Sequence, residues 1–420
     1  MRHLQFVGAV AIGLAVSTGY PAGIVTAVLM PALIFRNPTR KSTWCAALLY
    51  HASAIWPVIP GARNFFGPRV SLIAALALWT IAVAVLSLPW VLLWSSVRTQ
   101  MLWRIPLALL LVGVPPLGII GWASPLTAAG FLFPATAWIG LLACAACAGA
   151  LGVFPRACGV SVILLAALAN AIHPHSVPPP SGWQAINTEF GAVAHSTQSP
   201  EEEYMIAETI KRQAMSSRAS VIVFPETIVP YWTAATDQFW RPTIDTLRSE
   251  RKTILLGALV PRSDQAGPMP QQIDLSAELA ALKSGVVPLS LSGLQDHRTL
   301  ESGAPYFNAL IVRGADLTSF RQRIPVPIAM WNPFSAHGAP INFLGPGILK
   351  VRRERVAVLI CYEQVLVWPV LASMAEHPTI MVAIANDHWA TGTPIPRFQL
   401  SAVRAWSRLF AIPYLSAVNF

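Results

Sequence analysis

The first 173 residues contain no aspartate or glutamate, and the first acidic residue in the chain is Glu189. A stretch of that length without carboxylates, filled with Leu-, Ala-, Val- and Trp-rich blocks, does not make the surface of a water-soluble domain, which carries charges of both signs. All 19 acidic residues fall in the remainder. Two dissimilar parts are therefore expected: a helical transmembrane part over 1–173 and an α/β domain over 201–420, joined by a linker and first strand at 174–200. A composition of 54% hydrophobic and 11% charged residues over 420 positions agrees with that division.

Residues 4–35 form one apolar run interrupted at Gly19-Tyr20-Pro21. A membrane span needs roughly 20 residues, so this run suits a hairpin of two short spans. Further candidate spans cover about 43–60, 71–96, 105–122, 127–153 and 157–173, making about seven. No small-residue cleavage site followed by a polar start appears, so the first run reads as an anchor rather than a cleavable signal peptide. If seven spans alternate, Arg2, then Arg36, Arg40 and Lys41, then Arg98 and Arg104, then Arg156 share one side, which the positive-inside rule makes cytoplasmic. Arg63 and Arg69 fall on the other side. An odd number of spans places the large domain outside the cytoplasm, giving a multi-pass inner-membrane protein with a periplasmic C-terminal domain. Trp90, Trp94 and Trp103 read as interfacial anchors, and His51 as a residue of the bundle interior or the interface.

The net charge of +10 comes without any long basic run, so direct nucleic-acid binding is not expected and lipid headgroups account for the excess. Only five of the cations are lysines: Lys41, Lys211, Lys252, Lys283 and Lys350. Cysteines stand at 45, 144, 147, 158 and 361, which leaves one in the soluble part and excludes a disulfide framework there. Cys144 and Cys147 form a CxxC inside LLACAACAGA, where small residues at helical spacing point to close helix packing. No metal or cofactor is expected.

Beyond the stiff Pro178-Pro179-Pro180 link, a short strand is expected over 183–188 and a helix over 201–217. Buried-strand patterns follow at Val221–Phe224, Thr253–Gly257, Phe307–Val312, Val356–Ile360 and Thr379–Ile384, which indicates an α/β domain with its sheet covered on both faces. Ligands of such folds bind just beyond strand ends. Two of these ends carry reactive residues, in Val223-Phe224-Pro225-Glu226 and in Leu359-Ile360-Cys361-Tyr362-Glu363. A carboxylate raised in basicity by partial burial can take a thiol proton, and the thiolate can attack a carbonyl to give a thioester. Taken alone, each residue also has a structural reading: a small buried hydrophobe for Cys361, and a helix-start or salt-bridge carboxylate for Glu226.

The segments FPET, ICYE and AIANDHW, in that order and each after an apolar strand, resemble the carbon–nitrogen hydrolase (nitrilase) superfamily. They are most similar to its membrane-bound branch, apolipoprotein N-acyltransferase, which also places membrane helices before a periplasmic nitrilase domain. Arg323-Ile324-Pro325-Val326-Pro327 followed by Met330-Trp331-Asn332-Pro333 is nearest to the TraB-type proteins of conjugative plasmids. The resemblance implies an αββα sandwich, Glu226 as general base and Cys361 as nucleophile. It also implies that Glu363 positions the acceptor or holds the nucleophile's turn, and that Asn386, Asp387 and Trp389 belong to a substrate-binding loop that closes over the site. In the acyltransferase the chain continues into further strands and a final helix, whereas this sequence stops at Phe420, so the anchor is expected at the N-terminal side alone.

The family's third catalytic residue is a lysine five positions before the proline of a Val-Pro motif. Counting back from Pro327 gives Gln322, flanked by Arg321 and Arg323. Losing a charged oxyanion donor costs on the order of a hundredfold in rate. Three solutions stay open: Arg321 or Arg323 supplies the charge, Gln322 donates neutral hydrogen bonds, or the domain binds without turnover. An accessory glutamate of the acyltransferase is replaced by Met330. The expected function is a membrane-bound cysteine acyltransferase or amidase acting through a thioester on a membrane lipid, lipidated or peptide substrate, with conjugal transfer proteins as partners. The alternative is a catalytically impaired binding or assembly component of the transfer apparatus. Hydrolysis of a soluble nitrile or amide would need no membrane part.

Overall fold

The computed structural model describes residues 2–67, 70–173, 177–192, 199–262, 305–334 and 338–420. Arg69, Lys283 and parts of the expected linker, 174–176 and 193–198, lie outside the described residues. In the described acid-free part the regular elements are all helices, joined by short turns. Its α-helices are α1 (Arg2–Ser17), α2 (Pro21–Thr26), α3 (Met30–Phe35), α4 (Arg40–Ala54), α5 (Val58–Phe66), α6 (Leu72–Leu92), α7 (Met101–Gly113), α8 (Ala129–Leu132), α9 (Ala137–Val153) and α10 (Pro155–Ile172).

Every segment expected to cross a membrane contains helix, but most are broken and few helices are long. Among the described residues, α6 and α10 are long and apolar enough to cross, and α4 with α5 makes a third candidate if their 48° bend counts as one broken span. The shortening has local causes. Pro57 and Pro60 stand at the α4–α5 break, Pro115-Pro116 follows α7 so that it stops after 13 residues, and Phe133-Pro134 separates α8 from α9, because proline removes a donor and clashes with the preceding turn. The longest helix starts cleanly: the Ser71 hydroxyl accepts the Ala74 amide at 3.2 Å, capping α6. Much of α10 faces outward, with Ile163, Leu164, Leu165 and Leu168 exposed.

The remainder alternates. It contains β1 (Trp183–Ala185), α11 (Pro200–Ser216), β2 (Val221–Val223), β3 (Val229–Tyr231), α12 (Ala234–Ser249), β4 (Thr253–Pro261), β5 (Tyr306–Gly314), β6 (Thr318–Arg321), β7 (Ile348–Val351), β8 (Glu354–Ile360), α13 (Val367–Ala375), β9 (Ile380–Asn386), α14 (Ile395–Phe410) and β10 (Tyr414–Asn419). One sheet has the order β1-β2-β4-β5-β6 with β3 also on β4; a second has the order β10-β9-β8-β7. The protein is thus of mixed α/β class, and the buried-strand patterns of the sequence all become strands.

The chain forms two compact units: Met1–Pro180 with Phe343–Ala383 and Asp387–Ser416, and Ser181–Asn342 with Ile384–Asn386 and Ala417–Phe420. In the second unit, Ile222, Phe224, Ile254, Leu256, Ala309 and Ile311 form a core with Ile210 of α11 and Trp240, Ile244 and Leu247 of α12. Their strand neighbours Val223, Leu255, Leu310 and Val312 are also buried, so both faces of this sheet are covered. In the first unit, α14 lies so close to α8 that a Cβ added to Gly130 would sit 1.7 Å from the Ala405 carbonyl oxygen, an approach only glycine permits. The Arg408 guanidinium of α14 donates to Asn170 Oδ1 of α10 at 2.7 Å, and Arg397 donates to the Thr18 carbonyl at 3.1 Å.

Candidate active site

In the second unit, β2 ends at Val223 and the chain turns through Pro225-Glu226 into Thr227, whose φ of 51° is left-handed. The turn is pressed onto β4. The Gly257 amide donates to the Pro225 carbonyl at 3.1 Å, and a Cβ on Gly257 would lie 2.4 Å from Glu226 Cα. Glycine at 257 is what lets the carboxylate-bearing turn lie against the strand.

The Glu226 carboxylate is 4% exposed. Asn308 Nδ2 on β5 donates to its Oε1 at 2.6 Å, and the Asn386 backbone amide at the end of β9 donates to its Oε2 at 2.9 Å. Both donors are neutral amides, and each has a second amide behind it. Asn308 Nδ2 also donates to Gln322 Oε1 at 3.0 Å, and Asn419 Nδ2 donates to Asn386 Oδ1 at 3.0 Å. Gln322 is therefore joined to Glu226 through Asn308, and its own backbone amide also donates to the Asn308 carbonyl at 2.8 Å. Tyr306 lies near the same carboxylate. Burial first, then the charges of Tyr231 and Glu226, push its phenol up to about 12, so it stays a neutral O–H group over the physiological range.

The flanking arginines differ from one another. Arg321 is exposed and its guanidinium stacks over the Phe307 ring at 3.9 Å, whereas Arg323 is buried with its guanidinium 5.5 Å from the Phe320 ring centroid. Met330 closes a tight turn, its amide donating to the Val326 carbonyl at 2.9 Å.

In the first unit, Cys361 follows β8 directly, is 5% exposed, and takes a φ of 49°. A non-glycine residue in that region costs of order 1–3 kcal/mol and persists only where its surroundings fix it. Three side chains do so. The buried Glu363 carboxylate accepts the Ile360 amide at 3.0 Å, Gln399 Nε2 of α14 donates to the Cys361 carbonyl at 3.3 Å, and the Tyr362 hydroxyl donates to the Ile119 carbonyl at 2.8 Å. The Glu363 contact with the Ile360 amide lies within the turn that carries Cys361. Burial pushes the Tyr362 phenol well above its ordinary value, which keeps that donor protonated. Trp389 packs edge-on against Phe65 of α5, ring centroids 5.4 Å apart.

No family model matches the chain. Over 430 residues, 99% of this chain and 99% of the relative, it is 28% identical to the "Probable conjugal transfer protein TraB" of Sinorhizobium fredii (strain NBRC 101917 / NGR234). It is also 28% identical, over 98% of this chain and 91% of the relative, to the "Conjugal transfer protein TraB" of Agrobacterium fabrum (strain C58 / ATCC 33970). This chain is similar to TraB-type conjugal transfer proteins along its whole length. Among solved structures, it matches the nitrilase-superfamily amidase from Nesterenkonia sp. AN1 at 12% identity and a TM-score of 0.32, over 56% of this chain and 76% of the amidase, a score too low to establish a shared fold.

Of the residues picked out in the sequence, the structure brings Glu226, Gln322 and the Asn386 backbone into one hydrogen-bonded cluster and gathers Cys361 with Glu363 at one strand end. Arg321 lies on the surface, stacked on an aromatic ring. Missed were Asn308, Tyr306, Gln399 and Asn419. For Asn308 a signal existed, a polar residue inside the apolar run FNALIV; for the others the sequence offers none. Among the described residues no group of three or more His, Cys, Asp or Glu side chains could hold a metal ion.

Proposed function

We propose that this chain is a membrane-associated, nitrilase-like component of a conjugal transfer system that carries acyl groups on Cys361. In this reading its α/β part is an αββα sandwich lying outside the cytoplasm, and its N-terminal helices anchor it in the inner membrane. The conjugal assignment draws on the full-length similarity to the TraB proteins, and the membrane assignment on α6 and α10.

The observation that carries the chemistry is the Cys361 turn. A buried cysteine in a left-handed conformation, held by a carboxylate, an amide and a phenol immediately after an apolar strand, is more constrained than packing of a small side chain requires. In the proposed reaction Glu226 takes the thiol proton and the sulfur attacks an acyl carbonyl. The bond to the leaving amine or alcohol breaks as Glu226 returns the proton to it, leaving an acyl thioester. Water or an amine then attacks that carbonyl, gives its proton to Glu226 and frees the thiolate, which recovers the proton. Glu363 holds the nucleophile's turn. The Asn386 and Trp389 region takes the substrate, a lipid-linked or peptide acyl group suited to a membrane-borne enzyme, and Arg323, Arg321 or Gln322 supports the oxyanion.

Intact-mass spectrometry of the purified full chain tests this: an acyl adduct that maps to Cys361 and is absent from Cys361→Ala supports it, and an unmodified thiol after incubation with phospholipid vesicles speaks against it. A second reading, binding without turnover, is favoured by Gln322, whose uncharged amide occupies the lysine position and is bonded to Asn308. Plasmid transfer at wild-type frequency by Cys361→Ala, with no adduct on the wild-type chain, selects that reading.

A further inference from the structure

We infer that Asn419 is a positioning residue for Glu226, acting through Asn386; the catalytic part of this inference rests on the proposed role of Glu226 as base. Asn419 is fully buried on β10. Its Oδ1 accepts the Thr188 hydroxyl at 2.8 Å and the Phe190 backbone amide at 2.9 Å, and its Nδ2 donates to the Gly191 carbonyl at 2.8 Å and to Asn386 Oδ1 at 3.0 Å. These partners leave no freedom in the amide's orientation. A backbone amide only donates and a backbone carbonyl only accepts, so flipping the Asn419 side chain would oppose donor to donor at Phe190 and acceptor to acceptor at Gly191.

The orientation passes to the next residue. Because Asn419 presents N–H groups, Asn386 offers its oxygen to Asn419, and the side chain at the end of β9 is tied in place. The backbone amide of that same residue is what meets Glu226 Oε2 at 2.9 Å. A strand end frays readily, and a tie on its last residue fixes the direction in which its N–H points. Thr188 and Asn419 also form a parallel bridge, with the Thr188 amide donating to the Val418 carbonyl at 3.0 Å, so the anchor of the relay is itself set in backbone pairing. The carboxylate is thereby held from both sides by amide pairs: Asn308 with Gln322, and Asn386 with Asn419.

The test compares Asn419→Asp, which keeps an oxygen for Thr188 and Phe190 but loses the Nδ2 that donates to both Gly191 and Asn386, with Thr188→Val, which loses a bond to Asn419 and leaves that donor intact. The full chain in detergent is read two ways. Hydrogen exchange of the Asn386 amide reports positioning whatever the function, and the pH profile of Cys361 alkylation by iodoacetamide, with Glu226→Gln alongside, reports its effect on the base. We expect Asn419→Asp to speed Asn386 exchange about tenfold, to slow alkylation at neutral pH by about the same factor and to shift the profile, each amounting to one ordinary hydrogen bond. Thr188→Val should change none of the three. Wild-type exchange at Asn386 in Asn419→Asp, or equal changes in Thr188→Val, overturns the inference. If exchange speeds up while Glu226→Gln alkylates with the wild-type profile, the positioning stands and the assignment of Glu226 as base fails.

Discussion

Replacing Asn308 by leucine asks whether a specific amide, rather than burial alone, holds the Glu226 carboxylate. Leucine is close in size but deletes the Nδ2 that reaches Glu226 Oε1 at 2.6 Å and Gln322 Oε1 at 3.0 Å. A hydrogen bond to an ionised group contributes roughly 1.5–3 kcal/mol and a neutral one about 1 kcal/mol. With Glu226 4% exposed, water cannot take the donor's place without opening the site. The substitution also removes Asn308 Oδ1, a buried acceptor with no hydrogen-bond partner among the described residues, which returns about 1 kcal/mol. The net expectation is a loss of roughly 1.5–3 kcal/mol. Pulse proteolysis of the detergent-solubilised chain across a urea series measures it as a shift in midpoint. Asn308→Asp should lose more, since it sets a second carboxylate against the first. A leucine variant within about 0.5 kcal/mol of wild type, the range of ordinary surface changes, would refute the argument that this amide holds the Glu226 carboxylate.

Gly257→Ala should be destabilised by about 1–3 kcal/mol in the same assay, because its Cβ meets backbone rather than movable side chains, and Cys361 acylation should fall with it. Tyr306 predicts an alkaline limit. Its folded pKa lies above the ordinary value of about 10, so the contribution to stability is complete below that pH and is lost as pH rises through about 12. Tyr306→Phe should flatten that alkaline decline in a series of unfolding curves taken across the window. Leu164→Arg, on the outward face of α10, should weaken membrane insertion by up to about 3 kcal/mol if that helix spans the bilayer, which alkaline carbonate extraction of membranes would register as release of the chain.

The strand ends were legible because two simple signals coincide there: an apolar run long enough for a buried strand, and a reactive residue directly after it. That logic placed Glu226 and Cys361 just after strands, where the structure has them. It could not reveal β3, β6, β7 or β10, short strands whose identity depends on what they pair with; β10 carries Asn419, so the relay to Glu226 was invisible too. Hydropathy averages across prolines whereas a helix stops at them, so the apolar runs of the sequence are divided in the structure into shorter helices, of which α6 and α10 are long and apolar enough to cross a membrane among the described residues. The largest difference concerns the path of the chain. Nothing local in Phe343–Ala383 or Asp387–Ser416 says that these residues join the N-terminal helices in one compact unit. The clue, a glycine at 130 where Ala405 comes close, has meaning only once both helices are in place.

The hydroxyl of Tyr362 resting on the Ile119 carbonyl has an evolutionary consequence. A hydrolase fused to an arbitrary anchor can exchange that anchor for another, since the join is a tether and nothing more. Here the residue beside the thiol is braced by backbone from the acid-free region, so a recombinant lineage that replaced those helices would inherit an intact carboxylate cluster and a cysteine without its brace. Exchange of those helices would therefore have to keep the backbone at Ile119 that receives the Tyr362 hydroxyl.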